Sequence, residues 1–232
     1  MIMKLKLLVP ALALVLISGA ASAQISLGAQ AGAVFAKSKT DELSGVTGFD
    51  LSTKNRVGFT AGVIADIPFG ESGLRLMPEL NFVQKGVKAN GNVNFDLLGQ
   101  IVNADVDANV SLNYIELPVN LAYAVEAGSG RFIIGAGPYA GFGLNGKTSA
   151  KVSFQGQSQE EDEDIEFGSD EDQIKRFDFG ANFMAGYIMN NGLLFKVNYS
   201  LGLANLSNVS DSDWKNRYFG VSVGYFFLRG GE

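Results

Sequence analysis

The sequence predicts an all-β protein, an eight-stranded antiparallel up-and-down transmembrane β-barrel, and three observations carry that prediction. Apolar residues recur at every second position in eight separate segments, the period of a strand with one greasy and one polar face. The connections between these segments alternate between short turns and long loops. No apolar run after Gln24 approaches the roughly 20 residues of a helical span, although the chain is 47% hydrophobic.

The first strand, 25–34, sets Ile25, Leu27, Ala29, Ala31 and Ala33 against Ser26, Gly28, Gln30 and Gly32. The second, 57–67, sets Phe59, Ala61, Val63, Ala65 and Ile67 against Gly58, Thr60, Gly62 and Asp66. In 74–85, Leu76, Leu80 and Phe82 oppose Arg75, Glu79, Asn81 and Lys85. In 113–123, Ile115, Leu117, Val119, Leu121 and Tyr123 alternate with Glu116 and Asn120. The fifth, 131–144, places Phe132, Ile134, Ala136, Ala140 and Phe142 against glycines and Tyr139. The sixth, 177–187, has Phe177, Phe179, Ala181, Phe183 and Tyr187 against Asp178, Gly180, Asn182 and Gly186. In 193–203, Leu193, Phe195, Val197, Tyr199, Leu201 and Leu203 oppose Lys196, Asn198, Ser200 and Gly202. The last, 218–227, sets Phe219, Val221, Val223, Tyr225 and Phe227 against Gly220, Ser222 and Gly224.

Residues 69–73, 126–130 and 190–192 are Gly- and Asn-containing turns, so short turns gather at one end and long loops at the other. Eleven residues at ~3.3 Å each, tilted by about 45°, span roughly 25 Å, the apolar band of a bacterial outer-membrane barrel. The polar face carries Asp66, Arg75, Glu79, Lys85, Glu116, Asp178 and Lys196. In lipid each charge would cost a few kcal/mol near the midplane; inside a barrel the two signs can pair. These seven residues are therefore expected to form an interior charge network, with the greasy face outward. An eight-stranded barrel is just filled by its side chains, so the charges read as a plug. Pro78, Pro118 and Pro138 interrupt strands, and all three are expected outward, at bulges or in the membrane-interface zone.

Export is indicated by the first residues: Lys4 and Lys6, an apolar run over 7–17, and Ala21-Ser22-Ala23 as a small-x-small cleavage site. The expected organisation is a signal peptide at 1–23 and one barrel domain at 24–232, and loss of the two lysines takes the net charge from −6 to about −8. A net negative chain without a basic cluster excludes nucleic acid as a partner. The sequence holds no Cys and no His. That removes disulfides, the usual zinc ligands, thiol nucleophiles and His-dependent serine triads, so no enzyme and no cofactor is expected.

Segments 74–86 (LRLMPELNFVQKG), 112–123 (LNYIELPVNLAY), 132–147 (FIIGAGPYAGFGLNGK) and 176–187 (RFDFGANFMAGY) carry a resemblance to the outer-membrane β-barrel proteins of the Bacteroidetes, the PorT-like or outer membrane protein β-barrel domain family. The resemblance spans nearly the whole exported chain and implies a multi-pass protein of the outer membrane in a Gram-negative cell envelope. It assigns no activity. The chain departs from many such barrels in ending on LRGGE after Phe227, not on an aromatic residue.

The most conspicuous motif is the acidic run 159–173, with nine carboxylates from Glu160 to Asp172. Glu160, Glu161, Asp162, Asp164, Asp170 and Asp172 are the candidate ligands for a divalent cation, which takes several oxygens. The run lacks the order of an EF-hand loop, and a solvated mobile loop is the plainer reading. Glu79 and Glu116 could serve as an acid/base pair, but a salt-bridge network with nearby cations is simpler. Trp214 and Tyr218, with Tyr123, Tyr187 and Tyr199, fit interfacial girdles. The expected role is non-enzymatic, structural or interaction-type, with long external loops. Partners would be outer-membrane lipid and lipopolysaccharide, and the barrel assembly machinery during biogenesis. An accessory in secretion or envelope biogenesis, a narrow channel and a soluble calyx remain alternatives; a calyx needs the opposite sense of alternation.

Overall fold

Alternating sequences can bury their polar faces together only if the sheet curls on itself, and the pairing of the chain does this. The computed structural model describes residues 25–40, 49–97, 100–154, 157–170, 173–210 and 212–230. The expected signal peptide and Asp172 lie outside the described residues. Ten strands follow in order: β1 (Ser26–Thr40), β2 (Phe49–Lys54), β3 (Arg56–Pro68), β4 (Leu74–Leu97), β5 (Gln100–Ala127), β6 (Gly130–Phe154), β7 (Gln157–Ile165), β8 (Phe177–Met189), β9 (Leu193–Gly202) and β10 (Trp214–Leu228). Eight of them pair antiparallel in the ring β1-β3-β4-β5-β6-β8-β9-β10, and β10 returns to β1. These eight are the eight alternating segments of the sequence. The fold is an all-β, up-and-down, eight-stranded closed barrel.

Short connections lie at one end. Gly128 and Ser129 alone join β5 to β6, and Gly128 sits at φ 61°, a conformation that a side chain would resist. At the other end the strands outrun the barrel. β2 pairs with residues 88–93 of β4, and β7 pairs with residues 146–154 of β6. With β5 between them, the order β2-β4-β5-β6-β7 forms an open five-stranded sheet beyond the ring. Much of what reads as long loop is thus strand. In particular, residues 159–165 of the acidic run belong to the exposed strand β7, not to a loop.

The two regions meet at Gly86, whose φ of 138° only glycine adopts readily. A Cβ there would run into the carbonyl of Val110, and the stem of Arg56 packs across the same spot.

Pro78, Pro118 and Pro138 occupy adjacent strands. Pairing lapses where Pro78 faces Ala65, where Pro118 faces Glu79, and where Pro138 faces Val119, and resumes beyond in unchanged register. The missing N–H opens the ladder over two pairs without inserting a residue, so these are not bulges. Pro78 and Pro138 face outward, but Pro118 shares the parity of Glu116 and Asn120 and is buried inside, against expectation.

The two faces differ sharply. Outward-facing Phe177 and Ile134 are each 67% exposed, whereas Asp66 and Glu116 are 0% exposed. A water-soluble chain would bury the former and expose the latter. A calyx is therefore excluded, and the apolar outer surface requires lipid.

Candidate functional site

The lumen is the candidate site, and it is layered. Along β4 from the short-turn end, the inward positions read Arg75 (turned in at the rim), Met77, Glu79, Asn81, Val83 and Lys85. Each level recruits its neighbours from the other strands.

At the rim, the Arg75 guanidinium forks onto Asp66 at 2.5 and 2.8 Å, and Arg131 Nη2 donates to Asp66 Oδ2 at 3.0 Å. Above this lies an apolar layer of Ile64, Met77, Ile133, Met184, Leu194 and Phe226.

Glu79 begins the polar middle. Its Oε2 accepts from Lys196 Nζ at 2.5 Å, from Gln30 Nε2 at 2.6 Å and from Asn81 Nδ2 at 2.8 Å. Asn182 donates to Asn120 Oδ1 at 2.9 Å and accepts from Ser200 Oγ at 2.8 Å. A cavity of about 10 Å³ remains beside Gln30, Glu79 and Lys196, about the room of one water.

Lys85 holds the next level. It forms ion pairs with Glu116 and, at 2.8 Å, with Asp178. Three tyrosines surround it, with ring centroids 4.8 Å (Tyr114), 5.0 Å (Tyr139) and 5.5 Å (Tyr218) from its Nζ. Tyr218 donates to Glu116 Oε2 at 2.7 Å, and Tyr139 donates to Asp178 Oδ1 at 3.2 Å. Cation–π attraction and charge-assisted hydrogen bonds together replace the hydration that Lys85 loses.

The far mouth is capped. Leu112, Tyr114, Phe167, Ile174, Ala204 and Leu206 form a second apolar cluster, with Trp214 packed against it. Phe167 and Ile174 come from the segment between β7 and β8 and bridge to each other, and Ile174 bridges to Ser207. Arg176 ties the cap down, donating to the Phe167 carbonyl at 3.0 Å with its guanidinium over the Phe142 and Phe167 rings.

All seven charges singled out in the sequence line this interior, in three groups: Asp66 with Arg75, Glu79 with Lys196, and Lys85 with Glu116 and Asp178. Glu79 and Glu116 have separate cationic partners, so they do not form a carboxylate pair sharing one task. Arg131 completes the first group and was missed, although its parity with Tyr139 marks it as inward. With it the network holds four cations and four anions. Tyr218 and Trp214 are not girdle residues: Tyr218 is inside the lumen and Trp214 in the cap. Tyr123 and Tyr199 do face outward.

Outside the ring, Glu160 and Asp164 stand opposite Lys151 and Lys147 in register, and Lys147 Nζ pairs with Asp162 at 2.7 Å. That contact raises the Lys147 pKa and lowers that of Asp162, chiefly through the hydrogen bond between them. Glu161 is exposed on β7, and Asp170 follows beyond it. Among the described residues, no three carboxylates are gathered as a metal centre would need.

A closed ring, a lipid-facing apolar wall and a charge-filled lumen define a transmembrane β-barrel of the outer-membrane kind. Residues 20–208 match the family model described as outer membrane protein beta-barrel domain, and the chain belongs to that family. It is accordingly a protein of the outer membrane. No curated protein matches the sequence. Among solved structures it is similar to Neisserial surface protein A (12% identity, covering 88% of this chain and 99% of that one, TM-score 0.42). It is also similar to Ail, the attachment invasion locus protein of Yersinia pestis (16%, 87% and 99%, TM-score 0.36), and to OprG from Pseudomonas aeruginosa (14%, 88% and 95%, TM-score 0.34).

Proposed function

We propose that the protein is a non-enzymatic, structural or interaction-type barrel of a Gram-negative outer membrane, of the PorT-like group found in Bacteroidetes. In this reading residues 1–23 direct export and are removed after Ala23, and the short turns face the periplasm. The capped mouth and the five-stranded sheet then face outside, where they meet lipopolysaccharide and any protein partner.

The observation that carries this reading is the filled lumen. Four cations and four anions join in three groups, one at the rim and two between the apolar layers, which supports a plug and speaks against a continuous water path. Absence of His and Cys from the chain supports a non-catalytic role. The external sheet offers two edge strands, β2 and β7, each paired on one side only among the described residues, where a partner could add.

Envelope fractionation tests the placement: the protein is expected in the outer-membrane fraction, with a band shift between boiled and unboiled gels. Planar-bilayer recording is expected to give no unit conductance; steady single-channel steps would replace the plug with a channel. Protease added to whole cells should cut in the β6–β7 hairpin and spare the short turns, and the reverse pattern would invert the orientation.

A further inference from the structure

Inside the ring the lumen-facing positions of the polar middle are charged, and beyond it the same parity turns apolar. In register across the external sheet, one row reads Val87, Val110, Thr148 and Glu163; the next, on the opposite face, reads Lys88, Asn109, Ser149 and Asp162. The alternation repeats one step out, with Ala89, Ala108 and Ala150 against Asn90, Asp107 and Lys151. The apolar face of the sheet thus continues the lumen wall above the capped mouth. Between sheet and cap lies an open cleft of about 580 Å³. Val110 and Ile165 line it from the sheet, and Ile174, Val209 and Trp214 line it from the mouth.

The charge of this cleft is one-sided. Glu163, Asp164 and Glu166 line it, and no lysine or arginine does. Glu163 and Glu166 are exposed and form no ion pair among the described residues. Cations of the adjoining segments are engaged: Lys147 holds Asp162, and Lys175 donates to the carbonyls of Asn205 and Ser207. The chain has no further cation to bring, because apart from Lys4 and Lys6 every lysine and arginine lies among the described residues. A balancing positive charge must therefore come from another molecule.

The size of the cleft says what kind. Its volume lies within the roughly 300–1,000 Å³ of small-molecule sites, whereas a docked protein needs about 800 Å² of matching surface. We propose that the cleft binds a small amphiphilic cation, an organic ammonium whose apolar body packs among Val110, Ile174 and Trp214 while its head lies at Glu163 and Glu166. Burial of the body supplies the attraction, and the carboxylates select the sign of the head. The site holds whichever compartment the mouth faces.

The test uses the full barrel purified into maltoside micelles. Three probes share one body and differ in the head: phenylbutylammonium, phenylbutanol and phenylbutyrate. Equilibrium dialysis against empty micelles counts the probe held by the protein, and emission of Trp214, the one tryptophan of the chain, reports where it sits. The ammonium should be held one to a barrel with a saturable change in Trp214 emission. The alcohol should bind about three- to tenfold more weakly, and the butyrate more weakly still. Glu163→Gln combined with Glu166→Gln, checked for an intact heat-dependent gel shift, should lower the affinity for the ammonium to that for the alcohol. Equal binding of ammonium and alcohol, or an ammonium affinity unmoved by the double change, overturns the site. So does uptake no greater than that of empty micelles, or uptake to which Trp214 does not respond. None of these readings depends on envelope fractionation or on protease accessibility, so either of those can fail without touching them.

Discussion

Lys196 on β9 reaches across the lumen to Glu79 on β4, its Nζ 2.5 Å from the carboxylate, and the two strands are not neighbours in the ring. The pair therefore braces opposite walls. Removing one member leaves the other charged and buried. Lys196→Met is expected to destabilise the barrel by about 3–5 kcal/mol. Urea unfolding in micelles, read by the gel shift, measures it. The double change with Glu79→Gln should cost clearly less than the two single changes summed.

Phe167 is the keystone of the cap, and Trp214, the chain's one tryptophan, packs against the same cluster. Phe167→Ala should loosen the cap while leaving the ring intact. Tryptophan emission is expected to shift to the red and acrylamide quenching to rise, with the heat-dependent gel shift retained. Unchanged fluorescence would mean that Phe167 does not hold the mouth closed.

Gly86 marks the bend from ring to external sheet. Gly86→Ala puts a methyl group against the Val110 carbonyl at a φ that alanine avoids. More than about 1 kcal/mol of stability should be lost. Hydrogen exchange should localise the loss to amides of 86–97 and 100–111, the part of the β4–β5 hairpin beyond the bend.

Asp162 titrates below its ordinary value because Lys147 donates to it. A carboxyl lowered by folding contributes stability above its unfolded pKa and loses it as pH falls through the folded one. The β6–β7 hairpin should therefore loosen only in acid. Both side chains are largely exposed, so added salt should weaken the effect. Carboxylate-detected NMR should show Asp162 returning toward its ordinary value in Lys147→Gln.

The eight ring strands are legible because lipid and lumen impose opposite demands on alternate residues. Where that contrast ends, so does legibility. Residues 88–93 of β4 pair with β2 beyond the ring, away from the contrast of lipid and lumen, and β7 has no apolar alternation at all; it pairs with β6, whose Lys147 reaches Asp162. The inward charges follow from parity alone, and so would Arg131 and Pro118, which share the parity of Tyr139 and Glu116. Their partners do not. That Glu79 meets Lys196 depends on which strands end up facing across the lumen, and that is fixed by closure of the ring, not by spacing along the chain. The cap is hidden for a similar reason, because Phe167 and Ile174 sit in a segment without any period.

The seam of the ring pairs Leu27 with Leu228, so the first ring strand along the chain waits for the last. Until the fifteen residues of β10 are present, β1 and β9 each keep a bare edge that only β10 can cover. The ring thus cannot close before β10 is in place. Truncation within β10 should leave an escorted, protease-sensitive chain in transit across the envelope, not a slightly weaker barrel.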